Sequence, residues 1–466
     1  MLNREVLIDG LSEGEKLGAE YIELRYQDKY LANIQYRDGE FVNTTGSREG
    51  VCVRALVDGS WALASTNRIE REDIIRTVQK AVKLARGTAP SKAKKIILAE
   101  VDIVEDKVMS PRKIDLREIS VDEKIQKISE AAKKAQDFPL VKSLTINYNE
   151  IVDKRTVVTN EGTRVEWEDM KPTLVAMAVA IDEGKMANGY VSWSHTCGAE
   201  FFDWHPIDDM VEQASNTASK LTKATLPPAG VQSILLDPQL VGVLAHEAIG
   251  HTAEADLVVA GSFTQGKIGK KVCDERITLV DVPFKEGSKW MGAGWLPYDD
   301  EGVKGRETKI VTNGIMTEYM TNRAFASELG IEPSGNARAY TFADEPIVRM
   351  RNTFIEPGDM SLEELGEAIG DGYVLKSLMN GQADSSSEFM FGVVEAFAIK
   401  NGELTDEIFQ GPVFTGNAFE VLSNIIGVGK DFDINLGSGF CGKEQPAKVD
   451  AGGPHLAVKA MLAGGN

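Results

Sequence analysis

The sequence predicts an α+β fold in two domains, split near residue 228: an N-terminal domain (residues 1–228) of antiparallel hairpins with helices, and a β-rich C-terminal domain (229–466). Three observations predict it. Residues that accept positive φ recur between alternating apolar runs, as hairpins require. Helical periodicity is confined to a few separate stretches. Two prolines and a glycine at Pro227, Pro228 and Gly230 then break the chain, and beyond them glycine becomes more frequent and strand patterns dominate.

The elements follow in order. Residues 4–22 have a helical apolar pattern, and IQYRDGEFVN and VRALVDGSWALAS turn at Asp38-Gly39 and Asp58-Gly59. EDIIRTVQKAVKLAR reads as an amphipathic helix with Ile74, Val78, Ala81 and Leu84 on one face. Lys107 to Asp115, with Pro111, reads as a connection, and 121–137 is helical again. Strands then follow in KSLTINYNEIVDK, RTVVTNEGTRVEW and PTLVAMAVAI, and a helix spans roughly Pro206 to Thr222. Past the break, Val231–Leu236 is a buried strand, and TKIVTNGIMTEY and FGVVEAFAIKNGELT turn at Asn313-Gly314 and Asn401-Gly402.

Composition narrows the function. With 466 residues and 42% hydrophobic content the chain can bury proper cores, and no part is of low complexity. Its formal charge of −20 repels phosphate backbones and anionic lipid, so neither nucleic acid nor a membrane surface is an expected partner. Cys52, Cys197, Cys273 and Cys441 are scattered without CxxC spacing, which suits a reducing compartment. No basic segment followed by an apolar one opens the chain, and no apolar run approaches bilayer length. A cytoplasmic protein is expected.

The chemistry concentrates in VQSILLDPQLVGVLAHEAIGHTAEAD. Asp237 as N-cap and Pro238 at the first helical position start a helix that carries His246, Glu247 and His251. On a regular helix histidines at i and i+5 lie roughly 140° apart, too far to share an ion. The backbone near Gly250 is therefore expected to depart from α geometry, by an unwound turn or a π-bulge. Zinc lowers the pKa of a bound water to about 7, and a carboxylate next to a ligand is placed to take its proton. Catalytic zinc takes three protein ligands, which leaves one to find among His195, His205, His455, the cysteines, Glu254 and Asp256. Cys441 stands out, because it lies in a glycine-rich loop that gives a lone thiol little packing reason, and thiolate beside imidazole suits zinc. Glu254 and Asp256 read as helix-end surface groups or as supports for a histidine. His195, His205 and His455 carry no readable role.

These residues resemble the TldD/PmbA family of metallopeptidases, in its TldD branch. The resemblance rests on HEAIGH at 246–251 with Asp256 after it, FCGKEQ at 440–445, GGPHL at 452–456, DDEGV at 299–303, NGIMTEYM at 313–320, SGNARAY at 334–340 and RMRNTF at 349–354. RDGEFVN and GVCVRALVDGSWALAST resemble its opening hairpins. It implies that His246, His251 and Cys441 bind one divalent metal per chain, zinc or iron or another ion, and that Glu247 is catalytic. It further implies cleavage of unfolded or small peptides, and a homodimer or a heterodimer with a metal-lacking family member. Two other readings keep the metal: a hydrolase of small or modified amides, and a non-catalytic assembly or maturation partner with a structural ion. A peptidase acting on extended chains would hold them on a free strand edge, for which GNARAY and FMFGVVEAF are the candidates.

Overall fold

A computed structural model describes residues 4–285, 291–437 and 439–463. The N-terminal half builds one sheet from β1 (Tyr21–Arg37), β2 (Glu40–Val57), β3 (Ser60–Thr66), β4 (Glu105–Met109), β5 (Val141–Thr159), β6 (Arg164–Asp182) and β7 (Lys185–Ser194). The order is β3-β2-β1-β5-β6-β4, with β7 also paired to β6. Every pairing is antiparallel except β4 on β6. The segment expected to be a connection therefore contributes an edge strand, since residues 105–109 find the backbone groups of 164–168 unpaired beside them. Asp38-Gly39, Asp58-Gly59, Asn313-Gly314 and Asn401-Gly402 all have positive φ at both residues, as two-residue hairpin turns demand.

Helices cover one face of this sheet in two groups. α1 (Arg4–Lys16) and α2 (Arg71–Thr88) pack Leu7, Leu11, Ile74 and Val78 onto Ile22, Leu24 and Val53. Leu84 is not part of that face: it is 44% exposed, and Ala85 is buried in its place. α3 (Val121–Ala132), the short α4 (Phe201–Trp204) and α5 (Ile207–Leu221) bring Ile128, Phe201 and Met210 onto Ile146, Tyr148 and Leu174. The opposite face is polar yet covered, because Arg25, Gln27 and Lys29 of β1 bond to the carbonyls of Asp344 and Tyr340 in the C-terminal half.

Beyond residue 229 the chain forms two larger sheets. One joins six short strands, among them Leu279–Val282, Thr308–Thr312, Asn352–Ile355 and Asp450–Gly453. The other has seven, with β8 (Gly230–Leu236) between Gly372–Ala383 and Leu456–Ala463. The helix after β8 runs between these sheets, and Leu244, Ala245, Ala248 and Ile249 join Ile310, Met350 and Phe391 in one core. Neither strand proposed as a free edge is free. Glu388–Lys400, which holds FMFGVVEAF, pairs on both sides, and the N–H groups of Ala337 and Ala339 are taken by Asp299 and Asp300. Among the described residues no helix is long and apolar enough to cross a membrane.

Candidate metal centre

The helix begins as its sequence directs. Asp237 accepts the N–H of Leu240 at 2.8 Å, and α6 spans Pro238–Val243. The next seven residues, Leu244–Gly250, form a π-helix, closed by the N–H of His251 bonding to the carbonyl of His246. This i→i+5 bond brings residues five apart onto one side. The two imidazoles meet edge to face, with ring centroids 5.1 Å apart. Gly250 itself has ordinary helical dihedrals, φ −53° and ψ −53°. It is needed for space, because an added Cβ would overlap the Met350 sulfur.

Cys441 arrives from a short hairpin, Phe440–Lys443 paired with Gln445–Lys448, where a loop was expected. It is 5% exposed and packs on Ala447 and Val449, so it has both a packing environment and a polar one. The carbonyls of Cys441, Lys443 and Gln445 are gathered by the buried guanidinium of Arg349, which fixes the hairpin on the core. His246, Glu247, His251 and Cys441 thereby place one potential ligand atom each within 4.8 Å of one another.

Their chemistry fits a cation. His246 is fully buried, and among the described residues neither ring nitrogen has a hydrogen-bond partner. Orphaned buried polar atoms of this kind are costly unless a further group, such as a bound cation, satisfies them. The Sγ of Cys441 lies 3.1 Å from Nε2 of His251. Burial pushes this thiol up, but His246 and His251 outweigh burial and bring it down to about 4, so it is a thiolate at neutral pH. Burial likewise opposes a charged His251, while Glu254 and Cys441 hold its pKa well above the ordinary value. Each group thus favours the charged form of the other, and a metal ion bound between them would displace a proton.

Glu254 is not a surface group. It is 0% exposed and accepts from Nδ1 of His251 at 2.8 Å, leaving Nε2 to face the cluster. Lys443 donates to Glu254 at 2.9 Å and to Asp256 at 2.8 Å. Burial would raise the Glu254 carboxyl, but His251 and Lys443 outweigh it and hold it at about 2. A carboxylate so placed behind a histidine fixes its tautomer and ring orientation. The sequence signal for Glu254 is the three-residue step from His251; Lys443 lies in the FCGKEQ motif, which gives it no role by itself. Glu247 is the open side of the group, its side chain 28% exposed and 3.7 Å from Nε2 of His251. The remaining histidines lie elsewhere: His195 and His205 face each other at 2.9 Å, and His455 bonds to Asp431 at 2.7 Å.

Comparison with known proteins decides the family. Residues 229–465 match the PmbA/TldA metallopeptidase C-terminal domain, 114–222 its central domain and 22–85 its domain 1. The chain belongs to the PmbA/TldD metallopeptidase family. A metalloprotease of Methanothermobacter thermautotrophicus is 35% identical over 450 residues, 96% of each chain. A zinc metalloprotease TldD homolog of Saccharolobus solfataricus is 30% identical, covering 98% of this chain and 99% of its own. In fold, this PmbA/TldD chain is similar to TldE of Thermococcus kodakarensis, at 19% identity with a TM-score of 0.79 over 98% of this chain and 100% of that one. A putative modulator of DNA gyrase from Thermotoga maritima gives 0.78 at 21% identity, over 98% and 99%.

Proposed function

We propose that this chain is a metal-dependent peptidase in which His246, His251 and Cys441 hold one divalent ion and Glu247 is the general base. The observation that carries the reading is the convergence of two imidazoles, a thiolate and a partly exposed carboxylate within 4.8 Å. Two nitrogens and one sulfur suit zinc, and three protein ligands leave a fourth position open. When bound, such an ion supplies a Lewis acid that polarises the scissile carbonyl and acidifies water.

The chain's own groups do the rest. Glu247 takes a proton from the attacking water and returns it to the leaving amine. Glu254 holds His251 in one tautomer, and Lys443 keeps Glu254 ionised. In this reading the substrates are unfolded or small peptides, and the working form is a dimer of two copies or with a metal-lacking family member.

The test combines metal content with peptide hydrolysis for wild type, Glu247→Gln and Cys441→Ala. Glu247→Gln should keep about one metal per chain and lose about 10²–10⁴-fold in turnover. Cys441→Ala should lose the metal. A Glu247→Gln protein that cleaves as fast as wild type sinks the reading.

A further inference from the structure

The hairpin of β1 and β2 ends in an unguarded edge. Its two strands pair without a register shift from Tyr21↔Leu56 to Arg37↔Glu40. β1 has β5 on its other side, but β3 pairs with β2 only over residues 51–57. Among the described residues no strand lies beyond residues 41–49. Natural edges are blunted by charge, proline, a bulge or a covering element. The edge strands β4 and Glu403–Gln410 follow that rule, with Glu105, Asp106 and Lys107 in one and Glu403, Asp406 and Glu407 in the other. Residues 42–47 of β2 carry neither charge nor proline, and all of them are exposed.

The turn decides which backbone groups are free. Asp38-Gly39 is a two-residue turn, so its flanking pair, Arg37 and Glu40, exchanges hydrogen bonds, and the even-numbered residues 40–48 face β1. Phe41, Asn43, Thr45 and Ser47 therefore point their N–H and C=O groups out of the sheet. Two such edges related by a twofold axis pair antiparallel, residue i meeting j as j meets i. With the axis at Thr44, Asn43 meets Thr45 and Phe41 meets Ser47 as hydrogen-bonded pairs, and Val42 meets Gly46. Glu40 then stands opposite Arg48, twice by symmetry, and both are exposed. Moving the axis by one residue sets Arg48 against Val42, or against Asp38, whose carboxylate already accepts from Ser143 and from the N–H of Leu144. Exposed ion pairs add little affinity, so this complementarity fixes the register while the backbone supplies the attraction.

We propose that β2 pairs with the same edge of a second copy of this chain, antiparallel and centred on Thr44, so that the two sheets become one. Thr44, Thr45 and Gly46 also line a groove of about 400 Å³ that includes Phe440, the neighbour of Cys441. The pairing brings the grooves of the two copies edge to edge at the axis. The dimer belongs to the functional reading above; the surface rests on the strand edge alone.

The test uses the full-length protein. Sedimentation at micromolar concentration should show wild type as a dimer. Thr45→Pro removes an outward N–H from each copy and should raise the dissociation constant at least about fivefold, as two lost hydrogen bonds imply. Across the axis the two Thr44 Cα atoms would stand about 4.5 Å apart, within disulfide range. Because Cys52, Cys197, Cys273 and Cys441 are all buried, Thr44→Cys adds an exposed thiol, and mild oxidation should give a covalent dimer. Val42→Cys, roughly 14 Å from its twin in this register, should not link. Glu40→Lys and Arg48→Glu should each weaken the dimer severalfold, and together restore it. Should Thr45→Pro fail to fold, the two cysteine variants decide alone. A wild-type monomer would overturn the pairing and leave the edge to an extended peptide instead. A dimer that Thr44→Cys does not link would overturn it too, and linking through Val42→Cys would overturn the register. Peptide cleavage by a protein that fails these tests would leave the peptidase reading standing, whereas a linked dimer that cleaves nothing would leave only the surface.

Discussion

Glu254→Gln asks whether charge, rather than shape, behind His251 sets the metal group. One carboxylate oxygen accepts from His251 at 2.8 Å and from Lys443 at 2.9 Å, and the other accepts from the N–H of Met350 at 3.2 Å. An amide has one acceptor oxygen, so either way round its NH₂ meets a donor in a fully buried place. Loss of a hydrogen bond to a charged group is worth about 1.5–3 kcal/mol. Changing the carboxylate behind a ligating histidine costs about 10–100-fold in metal affinity, roughly 1.4–2.7 kcal/mol. Zinc affinity should fall by that factor in competition with a chromophoric chelator. Urea unfolding of the metal-free protein should lose about 1.5–3 kcal/mol at neutral pH. The pH dependence has a definite sign. The folded carboxyl, at about 2, lies below its ordinary 4.5, so its contribution is complete above 4.5 and lost as pH falls toward 2. The gap between the two proteins should stay level from about pH 5 to 7 and close on further acidification. A zinc affinity within twofold of wild type, or a gap that widens in acid, would refute the argument.

Two further outcomes test the same region. In the metal-free protein the Cys441 thiolate absorbance should persist down to a midpoint of about 4, while burial keeps Cys52 and Cys273 protonated, Cys273 up to about 12. Acid titration near 240 nm of wild type against Cys441→Ser reads it, and an unchanged curve would count against the thiolate. Gly250→Ala should destabilise by up to about 2 kcal/mol, because overpacking of about 1–3 kcal/mol against Met350 is offset only in part by the helix propensity gained, about 1 kcal/mol. Combined with Met350→Ala, it should cost less than the two changes summed; strict additivity in denaturant melts would show that the two side chains do not meet.

Much of the fold is legible in short-range chemistry. Asp38-Gly39 and its three counterparts specify their turns locally, and Asp237-Pro238 specifies a helix start, so both follow from a few adjacent residues. The i, i+5 spacing of His246 and His251 likewise forces a departure from α geometry, and the π-helix is its solution. What stayed hidden depends on distant partners. Residues 105–109 become a strand only because β6 offers an edge. Glu254 is buried rather than solvated because Lys443, 189 residues away, pairs with it. Gly250 was assigned a conformational role, whereas the need comes from Met350, which no local pattern reveals.

The Cys441 sulfur meets His251 across 190 residues of chain. During synthesis at about 5–20 residues per second, the helix with its two histidines would wait roughly 10–40 s for its thiol. Until then the imidazoles alone would offer an ion only two ligands, and Glu254 would lack Lys443. On the proposed reading, loading of the centre would be a late event in the life of each molecule, and a chain cut short before residue 441 would bear the histidine motif intact yet have no way to complete it.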